Sequence, residues 1–202
     1  MIVAGLTGSI AMGKSTVAGM FGELGVPVFD SDDAVRDFYS GDGAKAVEAA
    51  FPSVMVSGQV DRERLGARVL GDAEALQRLE GLVHPAVAQS RVRFVERAAA
   101  AGRRFVIVDV PLLFETGGEA GVDLVIVVSA PESIQRERVL ARAGMTEAKL
   151  EAILSRQMPD GEKKRRAHFI IDTRGRLELT SHVVGQFMRS VGAMAGGRTR
   201  DA

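Results

Sequence analysis

The sequence predicts an α/β protein: a three-layer fold around a parallel sheet, with a helical insert and a small helical lid. Three observations predict it. Five short runs (2–6, 26–29, 105–108, 124–128 and 169–171) are apolar throughout and do not alternate, the pattern of strands buried on both faces. Segments with helical spacing separate them. A Gly-rich stretch joins the first run to the first helical segment.

The elements follow in order. Run 2–6 is a buried strand, and 14–24 is a helix with Val17, Met20, Phe21 and Leu24 on one face and Gly25 as its stop. Run 26–29 is the second strand, ending at Asp30. Helices at 32–39, 44–51, 62–70, 73–82 and 86–101 fill the gap before the third strand, which is too long for one crossover helix. They form an all-helical insert, interrupted at Pro52 and at His84-Pro85. Strands 105–108 and 124–128 come next, then helices at 131–142, where Pro131 suits a first turn, and at 146–158. Strand 169–171 and a helix over 177–194 close the fold, and 196–202 reads as a flexible tail.

Composition narrows the chemistry. The 202 residues carry 26 basic and 26 acidic side chains, so the general basic excess of a nucleic-acid coat or an acidic-lipid binder is missing. With no Cys and three scattered His, disulfides, thiolate zinc sites and iron–sulfur clusters are excluded and a histidine-rich metal site is disfavoured. Aromatic residues are 5% with no Trp, too few for base-stacking platforms. The start lacks a basic leader, and no apolar run approaches the ~20 residues of a membrane span, so the expectation is a cytoplasmic protein without nucleic-acid or membrane partners. A monomer is the expected state, with an oligomer as the alternative.

The strongest motif is Gly8-Ser9-Ile10-Ala11-Met12-Gly13-Lys14-Ser15, which fits G-x-x-x-x-G-K-[ST] between a strand and a helix. Gly8 and Gly13 permit the tight backbone, the loop amides form an anion nest, and the helix start adds its positive dipole end. Lys14 then reaches the β- and γ-phosphates, Ser15 holds Mg²⁺, and Thr16 continues the cradle. The chain contains no Asn, so a guanine-reading Asn-Lys-x-Asp segment is excluded in its usual form and ATP is the expected nucleotide.

Acids stand at neighbouring strand ends, where ligands of open parallel sheets bind: Asp30-Ser31-Asp32 and Asp109. A carboxylate there can accept a hydroxyl proton or serve Mg²⁺. Asp32 or Ser31 equally suits a helix N-cap, Asp33 suits first-turn dipole compensation, and Asp109 could simply end its strand. Arg138 and Arg142 share a helix face beyond the fourth strand, ahead of the Gly144 break. A helical hairpin bearing arginines opposite the loop would close as a lid and neutralise phosphoryl charge. Arg136 fits a solvated face paired with Glu132 or Glu137. Lys163-Lys164-Arg165-Arg166 reads as a solvated turn, with the ATP side as its alternative place.

Taken together, these residues resemble the dephospho-coenzyme A kinase family over about residues 2–190. Gly5-Leu6-Thr7-Gly8 leads into the loop, and Val28-Phe29-Asp30-Ser31-Asp32 is similar to the family's Asp-x-Asp. His84-Pro85 stands in the insert, and Asp109-Val110-Pro111-Leu112-Leu113-Phe114-Glu115 is the most distinctive segment. Residues 135–142, Gly144-Met145 and then Gln157 match the lid.

The resemblance implies a P-loop kinase core (1–31, 103–140 and 167–195), a helical CoA-side domain (32–102) and a lid (141–166). It implies transfer from ATP and Mg²⁺ to the ribose 3′-hydroxyl of dephospho-CoA. Carried over, Lys14 binds phosphate, Ser15 binds Mg²⁺, Asp32 is the base, and Arg142, assisted by Arg138, contacts phosphate from the lid. Asp30, Asp32, His84, Asp109, Leu112 and Glu115 lie on the acceptor side. Two departures stand out. Ser9, Ala11 and Met12 replace loop glycines common in the family, and Ala167-His168 and Asp172-Thr173 flank the fifth strand where Ala-Asp and Asn are usual. The rival readings are a P-loop kinase with another acceptor, such as a nucleoside monophosphate or a small sugar, and a nucleotide-dependent switch.

Overall fold

The apolar run at the amino terminus forms β1 (Ile2–Thr7), buried from Ala4 onward, in a computed structural model that describes residues 1–196. The other long runs become β2 (Val28–Asp30), β5 (Phe105–Asp109), β6 (Leu124–Ser129) and β7 (Phe169–Asp172). They join in the order β2-β5-β1-β6-β7, and β1 lies parallel to both β5 and β6, as β6 does to β7. The absence of alternation is explained along β6: Ile126 and Val128 enter one core cluster, whereas Val125 and Val127 enter another on the opposite face. Helices α1 (Lys14–Glu23) and α9 (Leu177–Gly196) cover the first face with Val17, Phe21, Val184 and Phe187. The Phe187 ring lies 4.7 Å from that of Phe169 and 6.0 Å, edge-on, from that of Phe21.

The chain divides into two units, Met1–Phe29 with Ala98 onward, and Asp30–Arg97. The inserted unit holds α2 (Ser31–Ser40), α3 (Gly43–Ala50), β3 (Met55–Val56), β4 (Gln59–Val60), α4 (Arg62–Val69) and most of α5 (Ala73–Ala100). It is not all-helical as the spacing suggested, because β3 and β4 form a two-stranded antiparallel hairpin. Ser57 (φ 51°) and Gly58 (φ 83°) both take the left-handed conformation that a two-residue hairpin loop demands. Nor is there a break at His84-Pro85, since α5 runs straight through Pro85. A proline inside a helix costs about 3 kcal/mol. Here Ala75, Leu79 and Val83, spaced four apart, are buried with Val47, Phe51, Val54 and Leu65, and that packing keeps the helix whole.

After β6 come α6 (Glu132–Leu140), α7 (Glu147–Leu154) and α8 (Asp160–Arg166). The last of these corrects the expected turn at 163–166. Pro159 precedes the helix, Asp160 and Glu162 occupy its first turn and four basic residues its last, which complements the dipole at both ends. Lys163 is wholly buried rather than solvated. The expected helix 146–158 stops earlier, at Leu154, before the Gln157-Met158-Pro159 link to α8. Gly196 ends α9, and residues 197–202 of the expected tail lie outside the described residues. Among the described residues, no helix is long and apolar enough to cross a membrane.

Candidate active site

The parallel sheet delivers the end of β1 into the Gly-rich loop. Gly8 lies so close to β6 that a Cβ would stand 2.6 Å from the Val128 carbonyl oxygen. Gly13 precedes α1 with φ 88°, a conformation that strains any side chain. No acidic residue occupies the first turn of α1, so the positive end of its dipole is left for an anion. Ala11 also takes a positive φ, 58°, at a cost of about 1–2 kcal/mol for a residue with a Cβ.

The surroundings fix that strained loop. Met12 is 2% exposed, and its Sδ accepts the Ala130 amide at 3.0 Å. Thr173 Oγ1 donates to the Met12 carbonyl at 2.8 Å. The amide group of Gln135 donates to the Ile10 carbonyl at 2.8 Å, and Gln157 Oε1 accepts from the Ile10 N–H at 3.1 Å. Met12 is therefore held by the ends of β6 and β7, and Ile10 by Gln135 of α6 and Gln157 beyond α7.

Lys14, on the first turn of α1, pairs with Asp109 at the end of β5, Nζ to Oδ1 at 2.5 Å. The carboxylate side chain is 2% exposed and the lysine 14%. Asp109 thus stands within the phosphate-loop site instead of merely ending its strand. Ser15 and Thr16 are exposed beside Lys14. Arg138 and Arg142 behave differently. Arg138 Nη2 donates to the Thr173 carbonyl at 2.6 Å and Nη1 to Thr173 Oγ1 at 3.0 Å, with a longer contact of 3.4 Å to the Ala11 carbonyl. Arg142 has no ion-pair partner among the described residues and lines, with Arg138, Gly13, Thr173 and Leu177, a cavity of about 300 Å³ that opens beside the loop. Arg136 is anchored on Glu132, Glu147 and Glu151, bearing out the solvated-face reading with Glu132.

The remaining expected residues are placed as follows. Asp30, Asp32 and His84 belong to the inserted unit. The N-cap of α2 is Asp30, not Ser31 or Asp32: its Oδ1 accepts from the amides of Asp32 at 2.8 Å and Asp33 at 3.2 Å. Asp32 is exposed on the first turn, as is Asp33, and His84 is exposed on α5. Leu112 is 39% exposed after β5. Glu115 faces the segment around α8: its Oε1 accepts from the Met158 amide at 2.7 Å and lies 2.9 Å from the buried Lys163 Nζ. Burial pushes its carboxyl up, but the adjacent Lys163 ammonium and the Met158 amide outweigh this and hold it below the ordinary value. His168 Nδ1 accepts the Val125 amide at 3.0 Å, a structural role between β6 and β7.

Sequence reasoning did not assign Thr173, Gln135 or Lys163 to the site's framework. Thr173 was visible only as a departure from an expected Asn, and Gln135 only as part of the lid match. The start signal for α8 at Pro159-Asp160 would have revealed Lys163 as a helical residue. Among the described residues no cluster of three or more His, Cys, Asp or Glu could hold a metal by itself.

A parallel sheet with β1 at its centre, flanking helices and a phosphate loop leading into α1 define a P-loop kinase-like protein. The model of the family described as "Dephospho-CoA kinase" matches residues 1–178. The chain belongs to the dephospho-CoA kinase family. It is 61% identical over 178 residues to a dephospho-CoA kinase from Mesorhizobium japonicum, covering 88% of this chain and 90% of the relative. It is 50% identical over 200 residues to one from Brucella melitensis, covering 99% and 100%. The crystal structure of TT1252 from Thermus thermophilus matches with a TM-score of 0.79 at 33% identity over 96% of this chain and 97% of that one. A dephospho-CoA kinase from Campylobacter jejuni shares the fold, with a TM-score of 0.67 at 21% identity, over 94% of this chain and 96% of that one.

Proposed function

We infer that the protein transfers the γ-phosphoryl group of ATP to the ribose 3′-hydroxyl of dephospho-CoA, giving coenzyme A. The observation that carries this reading is the phosphate loop with Lys14 paired to Asp109, in a chain of this family. The loop amides from Gly8 to Thr16 and the start of α1 hold the phosphate tail, and Lys14 turns its ammonium from Asp109 toward the β- and γ-oxygens. The cavity lined by Arg138, Arg142, Thr173 and Leu177 takes the nucleoside end of ATP. Arg138, tied to Thr173, shapes that wall, while Arg142 is available to neutralise phosphoryl charge.

The donor set fits Mg²⁺. Ser15 offers an exposed hydroxyl next to Lys14, Asp109 a carboxylate, and the loop carries no thiolate or imidazole. Ser15 would hold the ion together with phosphate oxygens and water. When bound, the ion supplies charge neutralisation on the transferred group.

Asp32 accepts the proton of the attacking 3′-hydroxyl. Asp30 fixes the turn that presents Asp32, and Asp30, His84, Asp109 and Leu112 contribute to the acceptor side. Glu115 belongs to the same acceptor-side set, with its Oε1 also engaged by the Met158 amide and Lys163. A cytoplasmic monomer, without nucleic-acid or membrane partners, suffices for this chemistry.

The test is incubation with ATP, Mg²⁺ and dephospho-CoA, followed by mass analysis for a product heavier by one phosphoryl group. Transfer to dephospho-CoA should greatly exceed transfer to AMP, CMP or gluconate. Equal or greater transfer to one of those acceptors overturns the substrate assignment, and hydrolysis without transfer to any acceptor favours a switch. Asp32→Asn should cut kcat by about 10²-fold or more with little change in ATP affinity. Near-normal turnover in that variant removes Asp32 from the base role.

A further inference from the structure

We propose that Lys163 and Glu115 are a buried positioning pair that seats Gln157 on the phosphate loop, so that the base of the lid sets the orientation of the Ile10 peptide. The inference rests on the kinase reading above and adds residues that the reading leaves without a task.

The Lys163 side chain is 0% exposed and that of Glu115 is 15% exposed. Burying an ammonium and a carboxylate is expensive, and an apolar pair of similar volume is often as stable or more so. The pair is therefore a poor device for stability alone. What it secures is geometry, because one carboxylate oxygen, Glu115 Oε1, takes the Met158 amide at 2.7 Å while the Lys163 ammonium, ion-paired with it at 2.9 Å and with no other hydrogen-bond partner among the described residues, keeps the carboxylate charged in place. Met158 also packs its side chain against the cluster of Leu113, Phe114, Val125 and Val127. The backbone at Met158 is thus held on two sides.

The next residue back is Gln157, whose Oε1 accepts the Ile10 N–H at 3.1 Å. The Ile10 carbonyl takes the Gln135 amide at 2.8 Å. Two glutamines, one on α6 and one just beyond α7, grip both polar groups of a residue in the middle of the phosphate loop. The following residue, Ala11, is the one held at φ 58°. Ile10 cannot rotate without releasing one of these bonds, and Gln157 cannot shift without dragging Met158 off Glu115. The chain of contacts runs Lys163, Glu115, Met158, Gln157, Ile10. None of these side chains needs to touch the nucleotide. They act by pre-orienting the amides that do.

The experiment uses Glu115→Leu/Lys163→Met, Gln157→Ala and the unaltered full-length protein. Three quantities are read: melting temperature, ATP affinity by calorimetry in the absence of acceptor, and hydrogen exchange of the Ile10 amide. The double variant replaces a charge pair by apolar groups and should melt within a few degrees of the parent. Its ATP affinity should still fall by about 5–10-fold, and Ile10 exchange should quicken by a similar factor. In steady state the loss should appear in KM for ATP more than in kcat. Gln157→Ala, a change at a half-buried position, should reproduce the affinity and exchange effects. If the double variant keeps both ATP affinity and Ile10 exchange at parental values, the pair is only a strut and the proposal is overturned. If the double variant does not fold, Gln157→Ala decides alone, and parental affinity and exchange in it overturn the proposal equally. Calorimetry and exchange need no acceptor, so a parent that fails to phosphorylate dephospho-CoA refutes the proposed function while leaving this test readable.

Discussion

Replacing Gly8 by Ala tests the phosphate cradle with one added methyl group. The new Cβ would stand 2.6 Å from the Val128 carbonyl oxygen, where ordinary contact begins at 3.4 Å, a shortfall of about 0.8 Å. Val128 is fully buried in β6, which pairs with β1 on one side and β7 on the other, so the strand is not free to yield. The loop must retreat instead. A displacement near 1 Å at a phosphate site costs on the order of 10²-fold in rate. Overpacking of this size costs roughly 1–3 kcal/mol of stability. At about 2–4 °C per kcal/mol for a chain of this length, the melting point should fall by about 2–12 °C. The assay is kcat/KM for ATP with dephospho-CoA saturating, alongside thermal melting. Gly19→Ala is the control: it lies inside α1 with no atom within 4 Å of the added Cβ, and should gain about 0.5–1 kcal/mol. A Gly8→Ala protein with kcat/KM within twofold of the parent would refute the reasoning, because the close approach to β6 would then have no bearing on phosphate binding.

Three further outcomes follow from the same geometry. Lys14→Met should abolish transfer, by about 10³-fold or more, and lower the melting point, because Asp109 is left buried without its cation; turnover assays and calorimetric melting check this. Arg142→Ala should raise KM for ATP or lower kcat about 10–10²-fold with an unchanged melting point, whereas Arg138→Ala should also destabilise, since it strips Thr173 of two donors. Glu115 has a folded-state carboxyl value below the ordinary 4.5, so its stabilising contribution is present above pH 4.5 and is lost as pH falls through the lowered value. Melting curves from pH 7 to pH 3 should therefore drop more steeply for the parent than for Glu115→Leu/Lys163→Met.

The core was legible because its strands carry a continuous signal. Burial on both faces leaves no polar position in runs such as 124–128, and only the strand limits moved, by a residue or two. The P-loop was legible because its chemistry requires fixed residues at fixed spacing. The β3–β4 hairpin was missed because strands of two residues carry no periodicity, and the Ser57-Gly58 turn was its one mark. The continuity of α5 was missed because a local rule about proline was outweighed by packing around Leu79 and Val83 that no local window contains. Lys163 was misread for a related reason: a basic run suggests solvent, and only the tertiary partner Glu115 turns one of its members inward. Glu115 stood out in its motif, but its partners Met158 and Lys163 lie 43 and 48 positions away, beyond any local pattern.

The chain passes from one unit to the other at only two places, between Phe29 and Asp30 and between Arg97 and Ala98. Sixty-eight consecutive residues, among them Asp32 and His84, can thus be exchanged as a single cassette while Lys14, Asp109 and Arg142 stay on the remaining scaffold. Grafting that segment between members of the family should therefore carry the proposed base Asp32 along as a block and leave the phosphate loop untouched, which acceptor and ATP kinetics of such a chimera would check.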